Sequence, residues 1–310
     1  TATPRPTIFP TPSPAATATP PSGPQPDLGA NASLHGKPVF AGTSPWNQPI
    51  DRAPVDPASA TLIASIGLTT GLHPDFGANW NGGPFGIPYV VVAGSQPRVP
   101  VSFDYADESD PGPYPVPPDA PTENGSDAHV LVVDRDAWKL YELFAAAKAP
   151  PGWHAGSGAT FDLKTDAARP AGWTSADAAG LPIFPGLVRY DEVAEQKAIR
   201  HALRFTIAKS RKAYVAPATH FASANTSAGL PPMGMRVRLK ASFDLSTFPP
   251  DAQVILQAMK TYGMFVADNG SNWYVSGAPD ARWNDDTLGT LKGVKGSNFE
   301  VVQMGTVITK

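Results

Sequence analysis

Four carboxylates crowd one short stretch, FDYADESDPGPYP, as Asp104, Asp107, Glu108 and Asp110. Paired carboxylates on one rigid edge are what glycoside hydrolysis uses, one donating a proton and the other serving as nucleophile or base. The same oxygens can ligate calcium; the spacing departs from the EF-hand loop, so such a site would be irregular. A solvated turn whose Asp side chains accept backbone amides is the third reading.

Two histidines extend the set of candidate acid–base groups. His154 in GWHAGSG and His220 in ATHFAS both stand beside small residues that let a ligand or a neighbouring backbone come close. None of the 6 histidines falls at H-x-H or H-x-x-x-H spacing, so a zinc site would need ligands from distant segments. No metal site is assigned and no cofactor is called for. The serines of AGSGA and SADAAG do not form a G-x-S-x-G elbow, which leaves a serine-hydrolase reading without support.

The tryptophans carry a different signal. Trp46, Trp80, Trp153, Trp173 and Trp283 lie in SPWNQP, ANWNGG, PGWHAG, AGWTSA and ARWNDD, among Pro, Gly and Asn rather than in apolar runs. An indole face flanked by amides and hydroxyls suits a sugar ring, and it equally suits a proline-rich segment lying flat against it. Pinning a long loop to the core is the plainer role. The strand face Arg236, Arg238 and Lys240 could meet an acidic polysaccharide, or stand solvated beside nearby carboxylates.

These residues need a scaffold, and the sequence describes one built from turns and short strands. Pro 36 and Gly 28 are high while charged residues make up 16%. DPASATLIASIG predicts a short helix with Leu62, Ile63 and Ile66 on one face, and PPDAQVILQAMKTYG a longer one closed by Gly263. GIPYVVVAG, RVPVSFDYA, AIRHALRFTI, MGMRVRLKASFDL and FEVVQMGTVI read as strands, with WNDDTLGTLKGV a brief last helix. AHVLVVDRDAWKLYELF reads as two strands joined through Asp134, and MFVADNGSNWYVSG as a hairpin turning at Asn269-Gly270. With no regular βαβ order, the expected fold is mainly β: an antiparallel sandwich or jelly roll with a few peripheral helices, over residues 35–310.

Residues 1–34 read instead as a Pro/Thr/Ser/Ala-rich arm or linker. The opening TATPRPTIFPTPSP looks like a mature N-terminus beyond a cleavage site, which predicts export to the extracellular space or cell surface. A free tract of this composition buries too little to order itself, so an ordered one needs a surface that grips it. Ile8 and Phe9 are its natural anchors. The net charge of -3 excludes the basic patch that nucleic-acid binding requires, and no apolar run is long enough for a membrane span. Cysteine is absent, which removes disulfides and thiolate metal sites.

Through FDYADESDPGPYP, RPAGWTSADAAGLPIFPGLVRYDE, LPPMGMRVRLK and VADNGSNWYVSGAPD, most of the chain after the arm resembles a group of secreted bacterial proteins. That resemblance implies export and a shared fold, and carries over no catalytic residue. Two functions follow as expectations. One is an extracellular structural protein whose β-rich body links to copies of itself through the arm, forming a filament or surface polymer. The other is a secreted carbohydrate-active enzyme or glycan-binding module acting on polysaccharide.

Overall fold

The computed structural model describes residues 24–309. The chain runs through β1 (Gly29–Ala30), α1 (Ser59–Ile66), β2 (His73–Asp75), β3 (Gly77–Trp80), β4 (Gly83–Phe85), β5 (Tyr89–Val92) and β6 (Val101–Phe103). Next come β7 (Val130–Asp134), β8 (Lys139–Phe144), β9 (Ala147–Ala149), β10 (Gly152–Ala155) and β11 (Ser157–Asp162). The last third holds β12 (Leu203–Ile207), β13 (Arg236–Leu239), α2 (Pro250–Thr261), β14 (Met264–Asn269), β15 (Tyr274–Ser276), α3 (Asp285–Gly289) and β16 (Phe299–Val301). Strands outweigh helices, giving the expected β-rich α+β fold.

Three sheets are mixed rather than purely antiparallel. The first has the order β1-β5-β7-β8-β11, with β5 and β7 parallel. The second is β6-β10-β9, with β6 and β10 parallel. The third, β16-β13-β14-β12-β15-β2, contains the parallel pairs β14–β12 and β15–β2. β3 and β4 form a separate two-stranded ribbon.

The unbroken apolar run YVVV of β5 has a direct cause. Tyr89 and Val91 face a large core shared with Phe205, Val237 and Met264 of the third sheet, while Val90 and Val92 face a second core with Tyr114, Val116 and Trp153. A strand covered on both faces has no polar side to alternate with.

The short helix and the longer one both form as expected. α1 buries Leu62, Ile63 and Ile66, and Gly67 ends it at φ 120. α2 buries Ile255, Leu256 and Met259, each side chain contributing about 1.5–3 kcal/mol. Gly263 follows at φ 69, where a Cβ would lie 2.2 Å from the Val237 carbonyl oxygen.

Two expectations are corrected. MFVADNGSNWYVSG does not make a hairpin, because β12 lies between β14 and β15 and pairs with both. The Asn269-Gly270 turn instead closes over the end of β12: the N–H of Gly270 donates to Ile207 (2.9 Å) and that of Trp273 to Thr206 (3.1 Å). Competition from a distant strand has overridden a local turn signal. Arg236 and Arg238 do not form an open cationic face either. Arg236 donates to the carbonyls of Pro45 (2.8 Å) and Gln48 (2.9 Å), and Arg238 to Ile50 and to Glu300 (2.8 Å), pinning the segment before α1 to the third sheet.

The folded body also begins before residue 35. β1 pairs with β5, Leu34 is buried in the main core, and Arg135 donates to the Pro26 carbonyl at 2.6 Å.

Candidate functional site

A cleft of about 1050 Å³ opens at the free edge of the third sheet. β2 is that edge strand. Its alternation sends His73 and Asp75 to the same side, and its parallel pairing with β15 sets His73 opposite Tyr274 and Asp75 opposite Ser276. The His73 ring stacks on Tyr274 with centroids 3.9 Å apart.

One wall is the β3–β4 ribbon. Asn81 and Gly82 take φ 53 and 95, the left-handed pair that a tight two-residue hairpin demands. The ribbon carries Trp80, which is 68% exposed, and is held at its base by Asp285, whose carboxylate accepts the N–H groups of Ala78 (2.8 Å) and Asn79 (3.0 Å). Gly77 lets this carboxylate approach, since a Cβ there would sit 2.5 Å from Asp285 Oδ1. Lys292, from the turn after α3, and Glu123 with Asn124, from the loop before β7, complete the lining.

Two carboxylates in the cleft have different surroundings. Asp75 is reachable by solvent from the cleft yet has protein around most of it. Burial raises its pKa, with His73 opposing and Glu123 adding to the shift. Glu123 Oε2 lies 2.5 Å from His129 Nδ1, and His129 Nε2 lies 3.0 Å from the Ala176 carbonyl. A carbonyl only accepts, so Nε2 carries a proton; Nδ1 faces a carboxylate and carries one as well. His129 is therefore an imidazolium: burial opposes that charge, but the hydrogen bond and the charge of Glu123 prevail and raise its pKa. Burial, by contrast, lowers the pKa of His73, which Asp75 only partly offsets.

Behind the cleft, β12 places Arg204 in the interior. Its Nε and Nη2 fork onto the Asp177 carboxylate at 3.0 and 2.8 Å, and its Nη1 donates to Ser276 Oγ at 2.5 Å. Burial works against the charge of Arg204, but Asp177 more than compensates and raises its pKa. Asp268 and Glu142 sit in the same interior, and burial pushes each to about 7. For Glu142, the amides of Ile183 (3.0 Å) and Phe184 (2.9 Å) donate to the carboxyl and oppose that rise.

The residues singled out from sequence fall elsewhere, with one exception. Asp110 Oδ2 accepts the Thr160 N–H (2.7 Å) and an Arg169 Nη1–H (2.5 Å), Glu108 accepts the Thr174 N–H (3.0 Å), and Asp107 stands exposed just before Glu108 on the same short turn. This acidic stretch stitches one loop to β11 and to the loop around Trp173. Asp104 and His154 do meet, Oδ1 to Nε2 at 3.2 Å, on an exposed strand pair where His154 Nδ1 also contacts Ser102 Oγ at 3.0 Å. His220 contacts the Ala178 carbonyl through Nδ1 at 2.7 Å.

Trp46, Trp153 and Trp283 are buried: Trp46 and Trp283 anchor loops, Trp283 donating through Nε1 to Ala278 at 3.0 Å, and Trp153 on β10 packs into the second core. Trp173 is half-buried with the Arg169 guanidinium 5.6 Å from its ring. Trp80 is the exception, lining the cleft. Ile8 and Phe9 lie outside the described residues.

Sequence reasoning passed over His73, Asp75, Glu123, Tyr274 and Lys292. A usable signal was present in PTENGSDAH, where an acid and a histidine flank an Asn-Gly turn that can fold one onto the other. Among the described residues no three His, Asp or Glu side chains are grouped to hold a metal ion, and no helix is long and apolar enough to cross a membrane. No protein-family model, curated protein or solved structure matches the chain.

Proposed function

We propose that the protein is a carbohydrate-active enzyme that binds a polysaccharide in the cleft between β2 and the β3–β4 ribbon and hydrolyses it there. The observation that carries this reading is an open indole, Trp80, lining the same cleft as two carboxylates in unlike electrostatic settings. A sugar ring stacks on an indole through its C–H face, and its hydroxyls find partners in Asn79, Asn124 and Lys292 along the lining.

Two carboxylates lining one cleft can divide the acid and the nucleophile or base roles. Asp75, whose pKa burial raises, is the group placed to give its proton to the glycosidic oxygen. As that proton transfers, the C1–O bond breaks with its electron pair going to the leaving oxygen, and positive charge develops at C1 and the ring oxygen. Glu123, fixed by the imidazolium of His129, faces that charge and either attacks C1 or takes the proton of the attacking water. The product anomer distinguishes these two routes.

The test is turnover. Purified protein is incubated with a panel of plant and bacterial polysaccharides and new reducing ends are counted. Release that is lost in both Asp75→Asn and Glu123→Gln, with folding retained, supports the reading; binding and turnover absent across the panel would refute it.

Export is part of the same proposal, supported by the Pro/Thr/Ser-rich sequence of residues 1–23. Self-assembly through this arm is compatible with an enzyme in the body. Deleting residues 1–23, which leaves β1 in place, and imaging the product tests it, and polymers that persist undiminished exclude it.

A further inference from the structure

A second hollow of about 430 Å³ adjoins the cleft, and the two share Pro84, Gly86 and Asn124 in their linings. We infer that the substrate is a linear, uncharged glycan long enough to run from the larger cavity across the Pro84–Gly86 rim into the smaller one. This deepens the reading above and rests on it.

Three observations converge. First, the cavities are neighbours that share lining residues. Glu123 and Asn124 line the larger one while Thr122 and Asn124 line the smaller, so a single loop serves both. A volume of 430 Å³ lies within the range of ligand pockets, about 300–1,000 Å³.

Second, the smaller cavity is preorganised. Arg282 Nε and Nη2 are held by Asp280 at 2.9 and 2.7 Å, and its guanidinium lies 4.0 Å from the Tyr190 ring centroid. Asn31 is fixed by accepting the Tyr89 N–H at 3.1 Å. Rigid walls lose little freedom when a chain settles against them.

Third, the charge balance selects against acidic polymers. Even with Asp75 protonated as the acid, Glu123 and Asp285 outnumber the ammonium of Lys292 in the larger cavity, and burial lowers the pKa of His73. In the smaller one the charge of Arg282 is matched by Asp280. A uronate or sulfate in the larger cavity would meet more carboxylates than cations, whereas neutral hydroxyls meet amides and carboxylates that accept their hydrogen bonds.

The experiment is calorimetric titration with oligosaccharides of two to six units cut from neutral glucans, xylans and mannans, alongside oligogalacturonates of the same lengths. The wild-type protein is compared with Trp80→Ala, which removes the platform in the larger cavity, and with Thr122→Trp and Arg282→Ala, which fill or disarm the smaller one. Thermal melting confirms that each variant folds. Expected is an affinity for one neutral series that climbs at least tenfold with length, a climb flattened by Thr122→Trp and Arg282→Ala while short oligomers bind as before. Trp80→Ala weakens short and long oligomers alike, and oligogalacturonates bind at least tenfold more weakly. Neutral oligomers that bind equally at all lengths, smaller-cavity variants with no length-dependent effect, or tighter binding of the acidic series would overturn the inference and leave the cleft reading standing. Absence of binding by every series overturns both.

Discussion

Replacing Arg204 by Met tests the electrostatic floor of the cleft. Arg204 is 2% exposed and Asp177 1%, so the pair is sealed from water with both carboxylate oxygens engaged by the guanidinium. Methionine fills similar space but donates nothing, which leaves Asp177 as a buried charge without its counter-ion. Breaking such a pair from one side costs about 3–5 kcal/mol. For a body of this size each kcal/mol lowers Tm by roughly 2–4 °C, so Arg204→Met should melt roughly 10 °C below wild type.

A pH series sharpens the test. Without Arg204, burial raises the Asp177 pKa, so the deficit shrinks as acid supplies the missing neutralisation. Adding Asp177→Asn to Arg204→Met removes the stranded charge and should restore part of the loss. The assay is urea denaturation followed by tryptophan fluorescence at pH 5 and pH 8. A single variant within about 1 kcal/mol of wild type, or a double variant whose loss is the sum of the two singles, would refute the reasoning.

Further outcomes follow from the same geometry. Asp268 and Glu142 hold protons up to about 7 in the fold but release them near 4 when unfolded, so between those values the native state binds more protons. Their contribution to stability is full below the unfolded pKa and is lost as pH rises through about 7; denaturation midpoints should fall over that window, less so in Asp268→Asn and Glu142→Gln. Gly263→Ala combines a left-handed backbone with a Cβ 2.2 Å from the Val237 carbonyl oxygen, and should destabilise by roughly 1–3 kcal/mol or more in a thermal melt. Trp80→Ala, at an exposed ribbon position, should leave stability within about 0.5 kcal/mol while weakening glycan affinity, a split that calorimetry and melting read together.

What could be read from sequence was what neighbours in the chain decide. α1 and α2 appeared because Leu62, Ile63 and Ile66, or Ile255 and Met259, recur at helical spacing before a glycine. The turn between β7 and β8 appeared because Asp134 accepts the N–H groups of Asp136 and Ala137 within its own segment. The supposed hairpin at Asn269-Gly270 failed because β12, some sixty residues earlier, takes the position between its arms. The cleft failed for the same reason: His73, Glu123, Tyr274 and Lys292 come from segments that share no local pattern, and only the β2–β15 pairing and the loop before β7 bring them together. The acidic stretch at Asp104–Asp110 stood out because its charges are adjacent in sequence, yet backbone amides and Arg169 occupy Glu108 and Asp110.

The central claim is that Trp80 and the two carboxylates form one sugar site. A crystal structure of Glu123→Gln soaked with the tightest-binding oligosaccharide measures this directly. The account predicts a pyranose ring flat against Trp80, with a glycosidic oxygen within hydrogen-bonding reach of Asp75 and the chain continuing past Asn124. Density for the sugar elsewhere on the protein, with the cleft filled by water alone, would contradict it.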